Sequence, residues 1–101
     1  MEAESYINTE RYVSDAFFQK EKKEIFGQSW LMAGLSSKIP SPKTHFVCTT
    51  PEHSLLITRD KRGTVHAFYN NCLHRGTRIA DGSGKDVLEC PYHGWRYKHD
   101  G

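Results

Sequence analysis

No apolar run in this chain approaches membrane-spanning length, which argues against a membrane-spanning helix and a membrane partner. The start Met1-Glu2-Ala3-Glu4-Ser5 lacks both the basic residues and the apolar stretch of a signal peptide, so the cytoplasm is the expected compartment. Neither sign of charge is in excess: 14 Lys and Arg face 12 Asp and Glu, a net +2. That balance argues against nucleic acid and against an anionic membrane as partners. Three cysteines are too few for a disulfide framework. Internal repeats, low-complexity tracts, nucleophile–base arrangements and phosphate-cradling glycine loops are all missing. At 101 residues, the chain has room for one small domain.

What the chain does contain is a pair of mixed motifs, Cys72-Leu73-His74 and Cys90-Pro91-Tyr92-His93, with fifteen residues between His74 and Cys90. Each half offers one thiolate and one imidazole. Two Cys for one iron and two His for the other is the ligand set of a two-iron, two-sulfur centre of raised potential. Anionic thiolates hold ferric iron strongly, while neutral imidazoles leave the second iron with less negative charge. The same four residues could bind zinc in a structural module, although zinc sites more often pair Cys with Cys and His with His. A Cys72–Cys90 disulfide is a further alternative, without other signs of an oxidising compartment. Cys48 reads as a small buried hydrophobe on a strand. His45, His53, His66 and His99 have no Cys at useful spacing and read as strand or surface histidines.

The local patterns predict one helix followed by strands. Ser14-Asp15 caps a helix over about 15–26, with Phe18, Ile25 and Phe17 or Phe26 on its apolar side and Gly27 as its stop. Trp30 to Leu35 reads as a largely buried strand, and Pro40 and Pro42 punctuate a loop. Strands are expected at His45–Thr49, Ser54–Arg59 and Val65–Tyr69, the last two joined by a hairpin in which Gly63 takes positive φ. Asp81 to Gly84 is a turn, Val87–Glu89 a strand entering the second loop, Trp95–Tyr97 the strand leaving it, and Asp100-Gly101 a turn. Gly76 and Gly94 are placed for backbone amides to approach cluster sulfides. Pro91 stiffens the second loop, Tyr92 shields the cluster from water, and Tyr97 carries a hydroxyl able to reach a ligating sulfur.

Cys72-Leu73-His74-Arg75-Gly76 and Cys90-Pro91-Tyr92-His93-Gly94-Trp95-Arg96-Tyr97 resemble the Rieske domain of the large (α) subunits of Rieske non-haem iron oxygenases, the aromatic-ring-hydroxylating dioxygenases and related monooxygenases. Phe26 to Leu35, Ile39-Pro40 and Val65 to Asn71 resemble the lead-in and the strand that delivers the first loop, so the resemblance covers about residues 17–101. It implies a mainly β fold: small antiparallel sheets preceded by one helix. Residues 1–36 would be the lead-in, and residues 37–101 a Rieske domain incomplete at its C-terminal end.

The implied cofactor is a Rieske [2Fe-2S] cluster on Cys72, His74, Cys90 and His93, with Arg75, Gly76, Pro91, Tyr92, Gly94, Trp95 and Tyr97 around it. Trp95 stands where high-potential respiratory relatives carry Ser, implying a potential near the lower end of roughly −150 to +300 mV. Mononuclear Fe(II), on two His and a carboxylate, belongs to a separate catalytic domain for which this chain has no motif, so no catalytic residue is expected here. The implied function is electron transfer within an oxygenase that hydroxylates an aromatic or related small organic substrate with O2. Electrons would arrive from an NAD(P)H-dependent reductase or ferredoxin and leave to a neighbouring oxygenase subunit of a homo-oligomer. The alternative is a stand-alone Rieske-type ferredoxin; the residues ahead of Cys72, which resemble the oxygenase lead-in, favour the first.

Overall fold

The computed structural model describes residues 7–101, which form two compact units, residues 7–31 and 32–101. Met1 to Ser5, read above for a targeting signal, lie outside the described residues. Among the described residues no helix is long and apolar enough to cross a membrane.

In the first unit, the Asn8 side chain accepts the Glu10 N–H and opens a 3-10 turn over Thr9–Tyr12. Ser14 then caps α1 (Asp15–Glu21), its hydroxyl oxygen accepting the Phe17 N–H at 3.2 Å. Asp15 adds negative charge in the first turn, where the helix dipole favours it. The helical path does extend to Phe26, but it widens to π-type over Lys22–Phe26. It ends at Gly27, whose N–H bonds the Lys22 carbonyl at 2.8 Å. No residue of these turns is buried, and Phe18 and Ile25 stay solvent-facing rather than forming a packed side.

The second unit is antiparallel β. Strands β1 (Thr44–Thr49), β2 (Ser54–Arg59), β3 (Val65–Tyr69) and β4 (Gly84–Lys85) form a sheet of order β3-β2-β1-β4. β1 and β2 pair along their full length, from Thr44↔Arg59 to Thr49↔Ser54. Leu56↔Phe68 and Ile57↔Ala67 set the register of β2 on β3. The β2–β3 turn is fixed by Asp60, whose carboxylate accepts the N–H groups of Arg62 and Thr64 at 2.8 and 2.9 Å. Gly63 there has φ +88°, as its place in the turn requires. A second sheet pairs β5 (Leu88–Glu89) with β6 (Arg96–Tyr97).

Ile39, Phe46 and Ile57 form the buried core, with Cys48 and Leu55 packed against it. Cys48 is thus half-buried on β1 rather than enclosed. Thr58, fully buried, donates its hydroxyl to the His99 carbonyl at 2.6 Å and ties β2 to the chain after β6.

The strand expected at Trp30–Leu35 is absent. This segment has extended or irregular backbone, and Trp30, Met32 and Leu35 are exposed. A strand needs a ladder partner for its N–H and C=O groups, and none of the described strands pairs with it. Apolar composition alone does not supply one.

Candidate functional site

Two loops of one design carry the four singled-out residues. The first follows β3, and the second joins β5 to β6. In the first, the Cys72 N–H bonds the Thr77 carbonyl at 2.7 Å and the Gly76 N–H bonds the Cys72 carbonyl at 2.8 Å. In the second, the Cys90 N–H bonds the Trp95 carbonyl at 2.8 Å and the Gly94 N–H bonds the Cys90 carbonyl at 2.9 Å. The glycines take φ of +74° and +79°, the left-handed turn that closes each loop. Both segments therefore share the frame Cys-x-x-x-Gly, with His one position later in the second.

The N–H groups of Gly76 and Gly94 themselves bond the cysteine carbonyls inside each loop, and their positive φ supplies the left-handed turn.

The loops bring like residues together. Cys72 and Cys90 are both free thiols and both 3% exposed. His74 and His93 are both solvent-facing, with ring centroids 4.8 Å apart and edge to face. Thiols on one side and imidazoles on the other match a ligand set that is divided between two irons, Cys₂ on one and His₂ on the other. No disulfide joins the cysteines. Among the described residues, no three His, Cys, Asp or Glu side chains are placed to hold a single metal ion.

Tyr97 locks the two loops. Its oxygen accepts the Leu73 N–H at 3.0 Å and shares a hydrogen bond of 3.2 Å with Cys72 Sγ, in which the phenol is the donor when the sulfur is a thiolate. The Tyr97 hydrogen bond holds the Cys72 thiol below its usual range, helped by the backbone N–H groups of His74 and Arg75 and by Cys90, and opposed by burial. The same bond, with burial, raises the phenol. This pattern favours thiolate at Cys72, the form that binds iron.

The remaining expected residues sort by environment. Trp95 lies face to face on His74, centroids 4.6 Å apart and planes at 8°. Tyr92 sits over His93 at 3.8 Å with a 47° tilt, but is 60% exposed and so does not seal the loop from water. Pro91 and Arg75 are exposed. Of the other histidines, His66 bonds the Asp60 carboxylate at 2.8 Å and His53 is exposed beside Tyr69. His45 is a strand histidine on β1, whereas His99 is in a turn and is not at the surface; both are buried, each with one ring nitrogen lacking a partner among the described residues.

Asn70 escaped the sequence reading. It is 2% exposed, its amide donates to Ser54 Oγ and the Ala80 carbonyl, and its carbonyl accepts the N–H groups of Ile79 and Ala80. It thereby clamps the return of the first loop onto β2. The only signal was an Asn directly after a strand, a common turn residue.

Comparison with known proteins agrees with this geometry. Residues 29–101 match the family described as the Rieske [2Fe-2S] domain. The chain is 43% identical over 91 residues to chloroplastic choline monooxygenase of Spinacia oleracea, covering 89% of this chain and 21% of that protein. It is 39% identical over 92 residues to the carnitine monooxygenase oxygenase subunit of Acinetobacter baumannii, covering 89% of this chain and 25% of that one. It superposes with TM-score 0.81 and 37% identity on a quaternary ammonium Rieske monooxygenase described for carnitine oxidation and inter-subunit electron transfer, covering 91% of this chain and 26% of that structure. The chain therefore spans about a quarter or less of the relatives it matches. Buried paired thiols, outward paired imidazoles and this match together place the chain in the Rieske [2Fe-2S] domain family, among the relatives of Rieske oxygenase α subunits.

Proposed function

We propose that this chain carries single electrons through a [2Fe-2S] cluster held by Cys72 and Cys90 on one iron and by His74 and His93 on the other. The observation that carries this reading is the pairing of two buried thiols and two exposed imidazoles by two loops of identical hydrogen-bond frame. When bound, the cluster supplies reversible one-electron chemistry. The protein's residues hold it and set its surroundings: Tyr97 donates to the Cys72 sulfur, the loop glycines fix the turns, and the histidines face outward for exchange with a partner.

The wider role we propose is electron delivery within an oxygenase. An NAD(P)H-dependent reductase or a ferredoxin is the donor, and a mononuclear iron of a neighbouring subunit in a homo-oligomer is the acceptor. Relatives named for choline, carnitine and glycine betaine support monooxygenation of a quaternary ammonium compound as the reaction served. A relative named for biphenyl supports aromatic-ring dioxygenation as the second reading.

Electron paramagnetic resonance of the dithionite-reduced protein tests the ligand assignment. A Rieske-type signal with low average g, lost in Cys90→Ser, is the expected result. An average g like that of all-Cys ferredoxins would sink the assignment. Reaction of the full-length protein containing this segment with choline, carnitine and biphenyl, read by product mass, separates the two substrate readings.

A further inference from the structure

We infer that Asn70 is a positioning residue for Cys72 and His74: its side chain closes the base of the first loop, where the second loop is closed by strand pairing. This rests on the ligand assignment proposed above. The two loops share their inner frame but not their footing. The second stands on a backbone ladder, with Leu88 opposite Tyr97 and Glu89 opposite Arg96. The first leaves β3 at Tyr69 and returns along residues 77–83, which belong to no described strand. A returning arm without a ladder must place its N–H and C=O groups elsewhere.

The Asn70 side chain receives them. Its carbonyl oxygen accepts the N–H groups of Ile79 and Ala80, both at 3.1 Å. Its amide nitrogen donates to the Ala80 carbonyl at 2.7 Å and to Ser54 Oγ at 3.1 Å. An amide has two acceptor lone pairs and two N–H donors, so the protein itself engages all four. The Asn70 backbone is fixed as well, its N–H bonding the Ser54 carbonyl at 2.8 Å just beyond the Leu55↔Tyr69 pair.

Two observations separate this role from that of an ordinary turn residue. An Asx turn bonds two residues on, whereas these bonds reach nine and ten residues along the chain and so enclose both Cys72 and His74. The other support of the loop is unequally placed, since Tyr97 touches only the outgoing arm, at Cys72 and Leu73. The returning arm is tied at Thr77, whose carbonyl accepts the Cys72 N–H inside the loop, and then at Asn70. Releasing Asn70 therefore frees the first loop to shift against the second, which keeps its ladder. Iron held between the loops escapes through that local opening, not through unfolding of the β1–β2 core.

The test compares Asn70→Ala, which removes all four side-chain bonds, with Thr58→Val, which removes a buried hydrogen bond remote from the loops. Cluster-loaded, dithionite-reduced proteins are mixed with the iron chelator bipyridyl, and iron release is timed. Asn70→Ala should release iron roughly 5- to 30-fold faster than the parent, the factor that a local loss of one or two hydrogen bonds carries, while Thr58→Val keeps about the parent rate. Release from Asn70→Ala at the parent rate, or equal acceleration in both variants, would overturn the inference, because a merely stabilising residue acts through global unfolding. Hydrogen exchange of the cluster-loaded parent in mild urea decides the matter even if Asn70→Ala does not fold. Iron loss that tracks opening of the Ile79 and Ala80 amides supports the clamp, and iron lost while those amides stay protected refutes it. A parent protein that gives no Rieske-type signal refutes the ligand assignment itself, and the inference with it.

Discussion

Replacing Tyr97 with Phe removes one hydroxyl and little else, and it isolates how the protein sets the potential of its cluster. The phenolic oxygen accepts the Leu73 N–H and lies 3.2 Å from Cys72 Sγ; against a thiolate, which has no proton to give, the phenol is the donor. A donor to a cluster sulfur favours the reduced, more negative state, so removing it lowers the reduction potential. If that bond is about threefold to tenfold more favourable in the reduced state, the shift is roughly 30 to 60 mV downward, since tenfold is 59 mV for one electron. The fold should survive the change: Leu73 is 85% exposed, and its N–H can turn to water. The assay is a spectroelectrochemical titration of parent and Tyr97→Phe protein at matched iron content. A potential that stays put or rises in Tyr97→Phe would refute the reasoning, because the Tyr97–Cys72 contact would then be a packing contact without electronic effect.

Other expected outcomes concern the frame that carries the loops. Thr58→Val keeps the side-chain shape but leaves the His99 carbonyl without its 2.6 Å donor, a loss of about 1–3 kcal/mol; thermal melting should fall by roughly 4–8 °C per kcal/mol. Gly76→Ala and Gly94→Ala should each cost about 1–2 kcal/mol because both sites have positive φ, and their melting curves should agree, since an added Cβ meets nothing at Gly76 and only the Glu89 carboxylate at Gly94. Acid should destabilise the fold in two stages. Burial, then the proximity of His99, lowers His45; burial, then Lys43, lowers His99, with Asp86 and Asp100 opposing. Their unfolded forms therefore bind protons first, and stability drops as pH falls below the ordinary histidine value of 6.5 until the folded rings also protonate. Asp60, lowered chiefly by its bond from His66, contributes stability above 3.8 that is lost only as pH falls through its depressed folded value. Urea titrations from pH 8 to 3 should show the first stage reduced in His99→Gln; an unchanged first stage would count against the histidine assignment.

Much of the β architecture was legible because strands and turns are written locally. β2 and β3 fall at the expected residues, β1 begins one residue earlier, and Gly63 takes the positive φ its turn demanded. The helix start was legible for the same reason, since Ser14 caps through a residue three positions on. Trp30–Leu35 failed because an apolar run states a preference for burial without naming a partner, and no described strand is there to pair with it. His99 was misjudged for a related reason: its cover comes from remote segments. His45 lies on β1 as a strand histidine, and its burial too depends on a remote segment, Gly84 lying so close that a Cβ there would sit 2.7 Å from its ring.

The sequence by itself named the four candidate ligands, because two Cys and two His in mixed pairs can be counted without coordinates. It also carried the loop frame, since a Gly four residues after each Cys marks both left-handed turns. Only the tertiary structure decided that the thiols lie inside and the imidazoles outside. It alone set Tyr97 on Cys72, Trp95 on His74 and Asn70 beneath the first loop. The physical reason is reach. Turn geometry and strand periodicity act over a few residues, whereas these contacts arise where the β5–β6 hairpin meets the loop after β3, and only folding brings those segments together.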